Sequence, residues 1–207
     1  MAAKIKICGI TNSGDARLCA GLGADLLGFN FYCPSPRYID PEAAGKIIAE
    51  LPPETATVGV FVNAGVSEIA RVLQQCPLHM AQLHGDETPA DCQAVAGLGV
   101  KVVKAVRIRS RENIDQAKDF DVEAVFLDAF HAELYGGTGD RFDWSWLSGD
   151  SGRKIFLAGG IGPKNITEAL SVGTYGVDLC SGVERTPGVK DAEKMQTLFE
   201  RIKGYYG

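Results

Sequence analysis

Long apolar runs are missing from this sequence of 207 residues, and no signal peptide opens it. No stretch approaches the roughly 18 apolar residues of a membrane-spanning helix, and the charges of Lys4 and Lys6 interrupt the apolar run near the start. We therefore expect a protein of the cytoplasm that has no membrane partner.

Metal-binding and disulfide patterns are missing as well. The six cysteines are scattered without a CxxC pair, and the three histidines do not stand at metal-ligand spacing. A chain of this length also buries enough surface to fold without a metal or a disulfide. We expect reduced cysteines and no metal site.

Clusters of positive charge are the third absence. Lysine and arginine form no run, and the formal net charge is -5, which argues against a nucleic-acid partner. The acidic balance does not exclude an anionic small molecule, because backbone dipoles bind anions even in acidic proteins.

The sequence does contain a regular rhythm of short apolar, β-branched runs. They begin near residues 4, 25, 56, 79, 101, 123, 153 and 175. Helical apolar stripes lie between them, with helix caps such as Asp40 and Asp191. Eight alternations predict an all-parallel sheet, either open and doubly wound or closed. The even spacing favours a closed (β/α)8 TIM barrel, a single α/β domain over residues 1–207.

Two connections are longer than the others, after strands 2 and 6. They span residues 32–39 and 131–144, and in a barrel both lie on the C-terminal rim, where active sites are built. Glycines 136, 137 and 139 would let the second loop move, although an ordinary surface loop is the alternative. We expect Trp144 and Trp146 to pack a helix against the barrel.

Glycine-rich turns follow strands 7 and 8, in FLAGGIGP and DLCSGVE. Glycines at such strand ends let a ligand approach backbone N–H groups, and adjacent loops of this kind hold phosphate in many barrels. The pattern predicts a phosphate site at Gly159, Gly160, Ser181 and Gly182, with Pro163 opening the next helix. Ordinary turn glycines are the alternative.

Polar side chains stand at the rim ends of five predicted strands. They are Cys8, His84, Arg107, Asp128 and Asp178. By itself Cys8 is typical of a buried structural thiol. Asp128 follows three apolar residues, so it is either a desolvated acid or a capping or salt-bridged aspartate. Arg107 and Asp178 are candidates for a rim ion pair.

Several motifs together resemble the phosphoribosylanthranilate isomerase family. They are KICGIT at 6–11, GFNFYCPSPRYI at 28–39, VGVFVN at 58–63, QLHGDE at 82–87, FLDA at 126–129, GGTG followed by FDW at 136–144, LAGGI at 157–161 and DLCSGVE at 178–184. The resemblance is collinear over nearly the whole chain. It implies a (β/α)8 barrel and the Amadori rearrangement of N-(5-phospho-β-D-ribosyl)anthranilate in tryptophan biosynthesis. That reaction involves no redox change, so no cofactor is implied.

The resemblance also implies roles for residues. Cys8 matches the family's general base and Asp128 its general acid, with strands 1 and 6 expected on opposite sides of the ring. These tasks require a lowered pKa for the thiol and a raised pKa for the carboxyl. Arg37 matches the ligand of the anthranilate carboxylate. We expect Asp178 to contact the ribose or the aniline nitrogen and His84 to line the pocket.

One position departs from the family's pattern, and two other functions stay open. Cys180 stands where the resemblance leads us to expect a serine. The alternative functions are an isomerase of another aminoaldose phosphate, as in histidine biosynthesis, and a phosphosugar-binding regulator. The sequence leaves a monomer and a homodimer both open.

Overall fold

Eight parallel strands close into a barrel in the computed structural model, which describes residues 2–129, 141–147 and 152–207. The strands are β1 (Lys4–Cys8), β2 (Leu26–Asn30), β3 (Ala56–Phe61), β4 (Met80–Leu83), β5 (Lys101–Ile108), β6 (Ala124–Ala129), β7 (Ile155–Leu157) and β8 (Gly176–Leu179). Each pairs with its sequence neighbour, and β8 pairs with β1. The prediction of a closed barrel is confirmed, and the open sheet is excluded.

Helices alternate with the strands and cover the outside of the barrel. They are α1 (Ser13–Leu22), α2 (Pro41–Ile48), α3 (Val66–Gln75), α4 (Pro89–Ala96), α5 (Arg111–Gln116), α6 (Ile166–Ser171) and α7 (Ala192–Tyr206). Asp40 and Asp191 cap α2 and α7 as predicted, each side chain accepting backbone N–H bonds of the first turn. A 3-10 helix, Trp144–Leu147, precedes β7.

Alternation along each strand divides the interior into two apolar regions. Outward residues such as Ile7 and Leu27 pack under the helices in the larger cluster. Inward residues fill the lower part of the barrel, where the rings of Phe126 and Phe156 stack with centroids 4.4 Å apart. Polar side chains at the C-terminal ends of β1, β6 and β8 (Cys8, Asp128 and Asp178) face the lumen above this apolar part, the end at which TIM barrels hold their sites.

Two sequence predictions concern the segment before β7 and the start of α6. Trp144 is buried and Trp146 partly buried against the larger cluster, as expected. The predicted mobile glycines at 136, 137 and 139 lie outside the described residues. The prediction that Pro163 begins a helix is wrong, because α6 begins at Ile166. The Asn165 side chain accepts from Gly162 N–H and donates to the Gly160 carbonyl, which holds the preceding residues in a turn.

A short antiparallel hairpin follows β8 and lies beside the rim. Its strands are β9 (Glu184–Thr186) and β10 (Val189–Lys190). It brings Glu184 and Lys190, both buried, toward the end of β1. Among the described helices, none combines the length and apolar character that crossing a membrane requires.

Candidate active site

A cavity opens at the C-terminal end of the barrel and collects most of the predicted site residues. Those on its wall are Cys8, Arg37, His84, Asp128, Asp178, Gly159, Gly160 and Ser181. The loop after β2 closes one side with Tyr32 and residues 34–37. Asn30 folds this loop back, since its amide donates to Ser35 Oγ at 3.1 Å and its oxygen accepts from Tyr32 N–H at 2.9 Å.

Cys8 ends β1 among hydrogen-bond donors and positive charges. A hydrogen bond from Cys180 lowers the pKa of the Cys8 thiol well below its ordinary value, and the nearby ammonium groups of Lys6 and Lys190 lower it further, against the effect of burial. Lys190 also donates to the Cys8 carbonyl at 2.5 Å. The site therefore favours a thiolate at Cys8, which is the form that can accept a proton.

Lys6 and Asp178 form a buried ion pair one layer below Cys8. Nζ of Lys6 lies 2.9 and 3.0 Å from the two carboxylate oxygens, and the Lys6 side chain is 0% exposed. Burial opposes its charge, yet Asp178 and Cys8 raise the pKa of Lys6 above its ordinary value. Burial raises the pKa of Asp178 to about 7, with Cys8 and Asp128 adding to it and Lys6 opposing it. Asp178 is therefore able to carry a proton near neutral pH.

Asp128 and His84 lie next to each other on the cavity wall. Nε2 of His84 lies 3.3 Å from Oδ2 of Asp128, without the alignment of a normal hydrogen bond. Nδ1 of His84 lies 3.0 Å from the amide nitrogen of Gln82. When that amide donates to Nδ1, the imidazole proton sits on Nε2 and faces the carboxylate. Asp128 also accepts from Ala129 N–H at 2.9 Å.

Arg37 enters the cavity from the loop after β2 and is held by Glu184. Its Nε and Nη2 bind the two carboxylate oxygens at 2.8 to 3.1 Å, and Lys190 binds the same carboxylate at 2.9 Å. Burial opposes ionisation of Glu184, but the hydrogen bonds from Arg37 and Lys190 lower its pKa. One edge of the Arg37 guanidinium is thus occupied, and within the described part of the chain no hydrogen bond from Nη1 fills the other edge.

The loops after β7 and β8 form another part of the cavity wall. Gly159 and Gly160 have φ of 88° and 62°, a conformation that favours glycine. Within the described ranges, the N–H groups of Gly159, Gly160 and Ser181 donate no hydrogen bond. Gly182 stands apart from the cavity wall: an added Cβ there would lie 2.1 Å from the Ile161 carbonyl oxygen. Its lack of a side chain lets the two loops pack together.

Two geometric expectations are wrong. Strands β1 and β6 do not lie on opposite sides of the ring, because only β7 and β8 separate them along one side. The suggested ion pair of Arg107 with Asp178 is absent from the described structure, where Arg107 binds Asp86 and Asp178 binds Lys6. Arg107 consequently stands outside the cavity that Cys8 and Asp128 line.

Four residues of the site escaped the sequence interpretation. They are Lys6, Gly28, Glu184 and Lys190. Lys6 was detectable, since it shares a strand face with Cys8 two residues later. Gly28 is paired with Cys8 in the β1–β2 register, and register needs the fold. The contact of Arg37 with Glu184 and Lys190 joins the loop after β2 to the hairpin after β8, so one sequence carries no signal of it.

Comparison with known proteins matches the chain to one family over nearly its full length. The family model described as N-(5'phosphoribosyl)anthranilate (PRA) isomerase matches residues 5–201. A relative from Citrifermentans bemidjiense, N-(5'-phosphoribosyl)anthranilate isomerase, is 46% identical over 202 residues, which is 97% of each chain. The chain belongs to this family.

Solved structures of N-(5'-phosphoribosyl)anthranilate isomerases agree with the fold. The Thermus thermophilus enzyme is 39% identical with a TM-score of 0.88, over 97% of this chain and 98% of that one. A second structure, in complex with reduced 1-(o-carboxyphenylamino)-1-deoxyribulose 5-phosphate, is 36% identical with a TM-score of 0.86, over 98% and 99%. A third contains monomers generated from the dimeric Thermotoga maritima enzyme, with 36% identity, a TM-score of 0.85 and the same coverage.

Proposed function

We propose that this chain catalyses the Amadori rearrangement of N-(5-phospho-β-D-ribosyl)anthranilate to 1-(2-carboxyphenylamino)-1-deoxy-D-ribulose 5-phosphate in tryptophan biosynthesis. Membership of the isomerase family supports the reaction. The observation that carries the mechanism is that one cavity is lined by Asp128 and by Cys8, a thiol whose pKa is lowered. The reaction opens a sugar ring and moves protons, which is work for an acid and a base.

Asp128 acts as the general acid and Cys8 as the general base. Asp128 protonates the furanose ring oxygen while the aniline nitrogen pushes the ring open to a Schiff base. The Cys8 thiolate then removes the proton from C2', and the enamine that results becomes the ketone product. His84, 3.3 Å from Asp128, orients this carboxyl, and Asp178 contacts the ribose or the aniline nitrogen.

The two anionic ends of the substrate bind at different loops of the cavity rim. The carboxylate of the anthranilate binds the open edge of Arg37, whose position Glu184 fixes. The phosphate binds the N–H groups of Gly159, Gly160 and Ser181, where glycine allows close approach. Gly182 serves this site indirectly, because it lets the two loops pack together.

The compartment and the assembly are parts of the same proposal. Six free cysteines, three of them buried, fit a reducing cytoplasm. The dimeric relative from Thermotoga maritima makes a homodimer one of two candidate states, beside the monomer. Neither alternative changes the site, since every residue assigned above comes from one chain.

Replacing the acid and the base separately tests the mechanism. We expect Cys8→Ser and Asp128→Asn each to lower kcat by about 10²- to 10⁴-fold, the usual contribution of a positioned acid or base, while far-UV circular dichroism stays unchanged. The assay follows the change in anthranilate fluorescence on turnover. Cys33→Ser, which removes an exposed thiol, is the matched control and should keep its rate.

Wild-type turnover by Cys8→Ala would eliminate the thiol as the base. Turnover of an aminoaldose phosphate without the anthranilate group would favour the alternative isomerase. Tight binding of the substrate without turnover would favour the phosphosugar-binding regulator.

A further inference from the structure

Cys180 lies next to Cys8 as a direct result of the barrel's closure. Strands β8 and β1 pair in register, with Lys6 opposite Asp178 and Ile7 opposite Leu179. The next residue is Cys8 on β1 and Cys180 directly after β8. Because side chains two residues apart share a face, the two thiols point into the barrel above the Lys6–Asp178 ion pair.

The spacing of the two thiols suits a disulfide. Cys8 and Cys180 each follow a residue of the paired couple Ile7 and Leu179 on neighbouring strands, and neighbouring strands lie about 4.8 Å apart. A disulfide needs Cα atoms roughly 4.4 to 6.8 Å apart, so the bond requires rotation of side chains rather than movement of strands. Both residues are partly exposed and line the cavity, so small molecules reach them through its mouth.

The other four cysteines lack this combination of partner and reactivity. Cys19, Cys76 and Cys92 are buried, and burial raises the pKa of Cys19 to about 12 and of Cys76 and Cys92 to about 11. Cys33 is exposed on the loop after β2. Cys8 by contrast has the ammonium groups of Lys6 and Lys190 beside it, which favour the nucleophilic thiolate.

We propose that Cys8 and Cys180 form a redox-active pair that a peroxide converts into an intramolecular disulfide. The Cys8 thiolate attacks one oxygen of hydrogen peroxide, the O–O bond breaks, and sulfenic acid and hydroxide form. The Cys180 sulfur then attacks the Cys8 sulfur, and the sulfenic hydroxyl leaves as water with the thiol proton. The two thiols lose two electrons and the peroxide is reduced to two molecules of water.

Oxidation has a consequence for turnover that rests on the proposed function. A Cys8 sulfur held in a disulfide has no lone pair basic enough to take the proton from C2'. The oxidised protein is therefore inactive, and a dithiol restores activity by thiol–disulfide exchange. The disulfide needs the Cys180 thiol, and the family motif leads us to expect a serine at this position. The proposed redox response therefore belongs to chains that carry a cysteine here, as this one does.

Thiol counting and peptide mapping test the pair independently of activity. The protein is treated with hydrogen peroxide, denatured and alkylated. We expect the six free thiols to fall to four, a loss of the mass of two hydrogen atoms, and a peptide linking Cys8 to Cys180. Dithiothreitol should restore all six thiols. The Cys33→Ser variant should lose two thiols and form the same linked peptide.

The Cys180→Ser variant separates the two steps of oxidation. Without the resolving thiol, the sulfenic acid of Cys8 should accumulate and be trapped by dimedone, and no linked peptide should form. Six remaining thiols in the treated unmodified protein, or a disulfide that uses Cys33, would overturn the proposal. Both measurements are made on the unmodified protein, so they do not depend on whether a variant folds. A Cys8–Cys180 disulfide in a fully active protein would support the pair and contradict the base role of Cys8.

Discussion

Lys6 carries a charge at a position where an isolated ammonium group would be costly. Its side chain is 0% exposed, and contacts with the two Asp178 carboxylate oxygens, with Cys8 and with the face of the Phe126 ring compensate for lost hydration. Lys4, two residues earlier at the start of the same strand, pairs instead with Asp25 where both side chains reach solvent. The two lysines of one strand therefore serve different purposes, and only Lys6 acts on the thiol.

Removal of the Lys6 charge is expected to raise the pKa of Cys8. An opposite charge at this range lowers a pKa by about one to three units, so Lys6→Met should move the pH midpoint of Cys8 alkylation upward by about one unit, Lys190 remaining. The measurement is the pH dependence of iodoacetamide labelling, read by mass spectrometry with Cys33 as internal reference. Lys4→Met is the control and should leave the midpoint in place, and an unchanged midpoint in Lys6→Met would contradict the role.

At the scale of elements, the contact between β1 and β2 determines where the Cys8 side chain lies. Gly28 is paired with Cys8, and a Cβ built on it would lie 2.8 Å from Cys8 Sγ and 3.2 Å from Lys6 Nζ. The thiol and the ammonium group occupy the space that a side chain on β2 would fill. The absence of a side chain on one strand thus makes room for the base on the next.

Adding one methyl group at this contact should impair catalysis more than folding. Gly28→Ala is expected to cost about 1 to 3 kcal/mol through overpacking and to lower kcat by displacing Cys8. Urea unfolding and the fluorescence assay measure the two effects. Gly21→Ala in helix α1, where nothing lies within 4 Å of the added Cβ, should instead add about 0.5 to 1 kcal/mol of stability and keep kcat. Full activity in Gly28→Ala would show that the thiol does not need this space.

Local periodicity predicted the elements, whereas long-range pairing determined the site. The apolar runs located all eight strands, because each strand alternates between lumen and helix layer over a few residues. From alternation alone, Lys6 lies on the polar face of its strand, and such a face is usually exposed to solvent. Closure of the barrel places this face in the lumen instead. The turn that delays α6 arises from Asn165 bonding back to Gly160, a contact that helix-start statistics do not contain.

The roles assigned to Cys8, Asp128 and Arg37 stay predictions, although these residues line one cavity. The resemblance supplied their roles, and the barrel explains how residues so far apart in sequence meet. The extent of the domain, residues 1–207, is also a proposal. It is supported by the pairing of β8 with β1 and by α7, which packs against α1 and α6.

For the whole molecule, burial of charge at the rim makes the free energy of unfolding depend on pH. Asp178 has a pKa of about 7 in the folded chain against an ordinary value of 3.8. Between these values the folded chain holds a proton that the unfolded chain has lost, so the contribution of Asp178 to stability falls as the pH rises. Glu184, whose pKa is lowered, stabilises the folded chain at neutral pH, and this contribution is lost only when the pH falls into the acidic range.

Comparison of the unmodified protein with Asp178→Asn isolates this effect. We expect the stability advantage of the unmodified protein to shrink between pH 5 and pH 8 by up to about 3 kcal/mol, because the pKa of Asp178 in the folded chain lies about two units above the lower end of this range. The lowered pKa of Cys8 adds stability as the pH rises, but it is present in both proteins and largely cancels. Urea unfolding at a series of pH values gives the difference.

Asp115 provides the control for ordinary surface carboxylates. A hydrogen bond from Lys118 holds its pKa below the usual value, so Asp115→Asn should leave the pH dependence between 5 and 8 unchanged. A constant difference between the unmodified protein and Asp178→Asn would mean that Asp178 stays ionised throughout this range. Its ion pair with Lys6 would then be permanent, and Asp178 would bind the substrate only as a carboxylate.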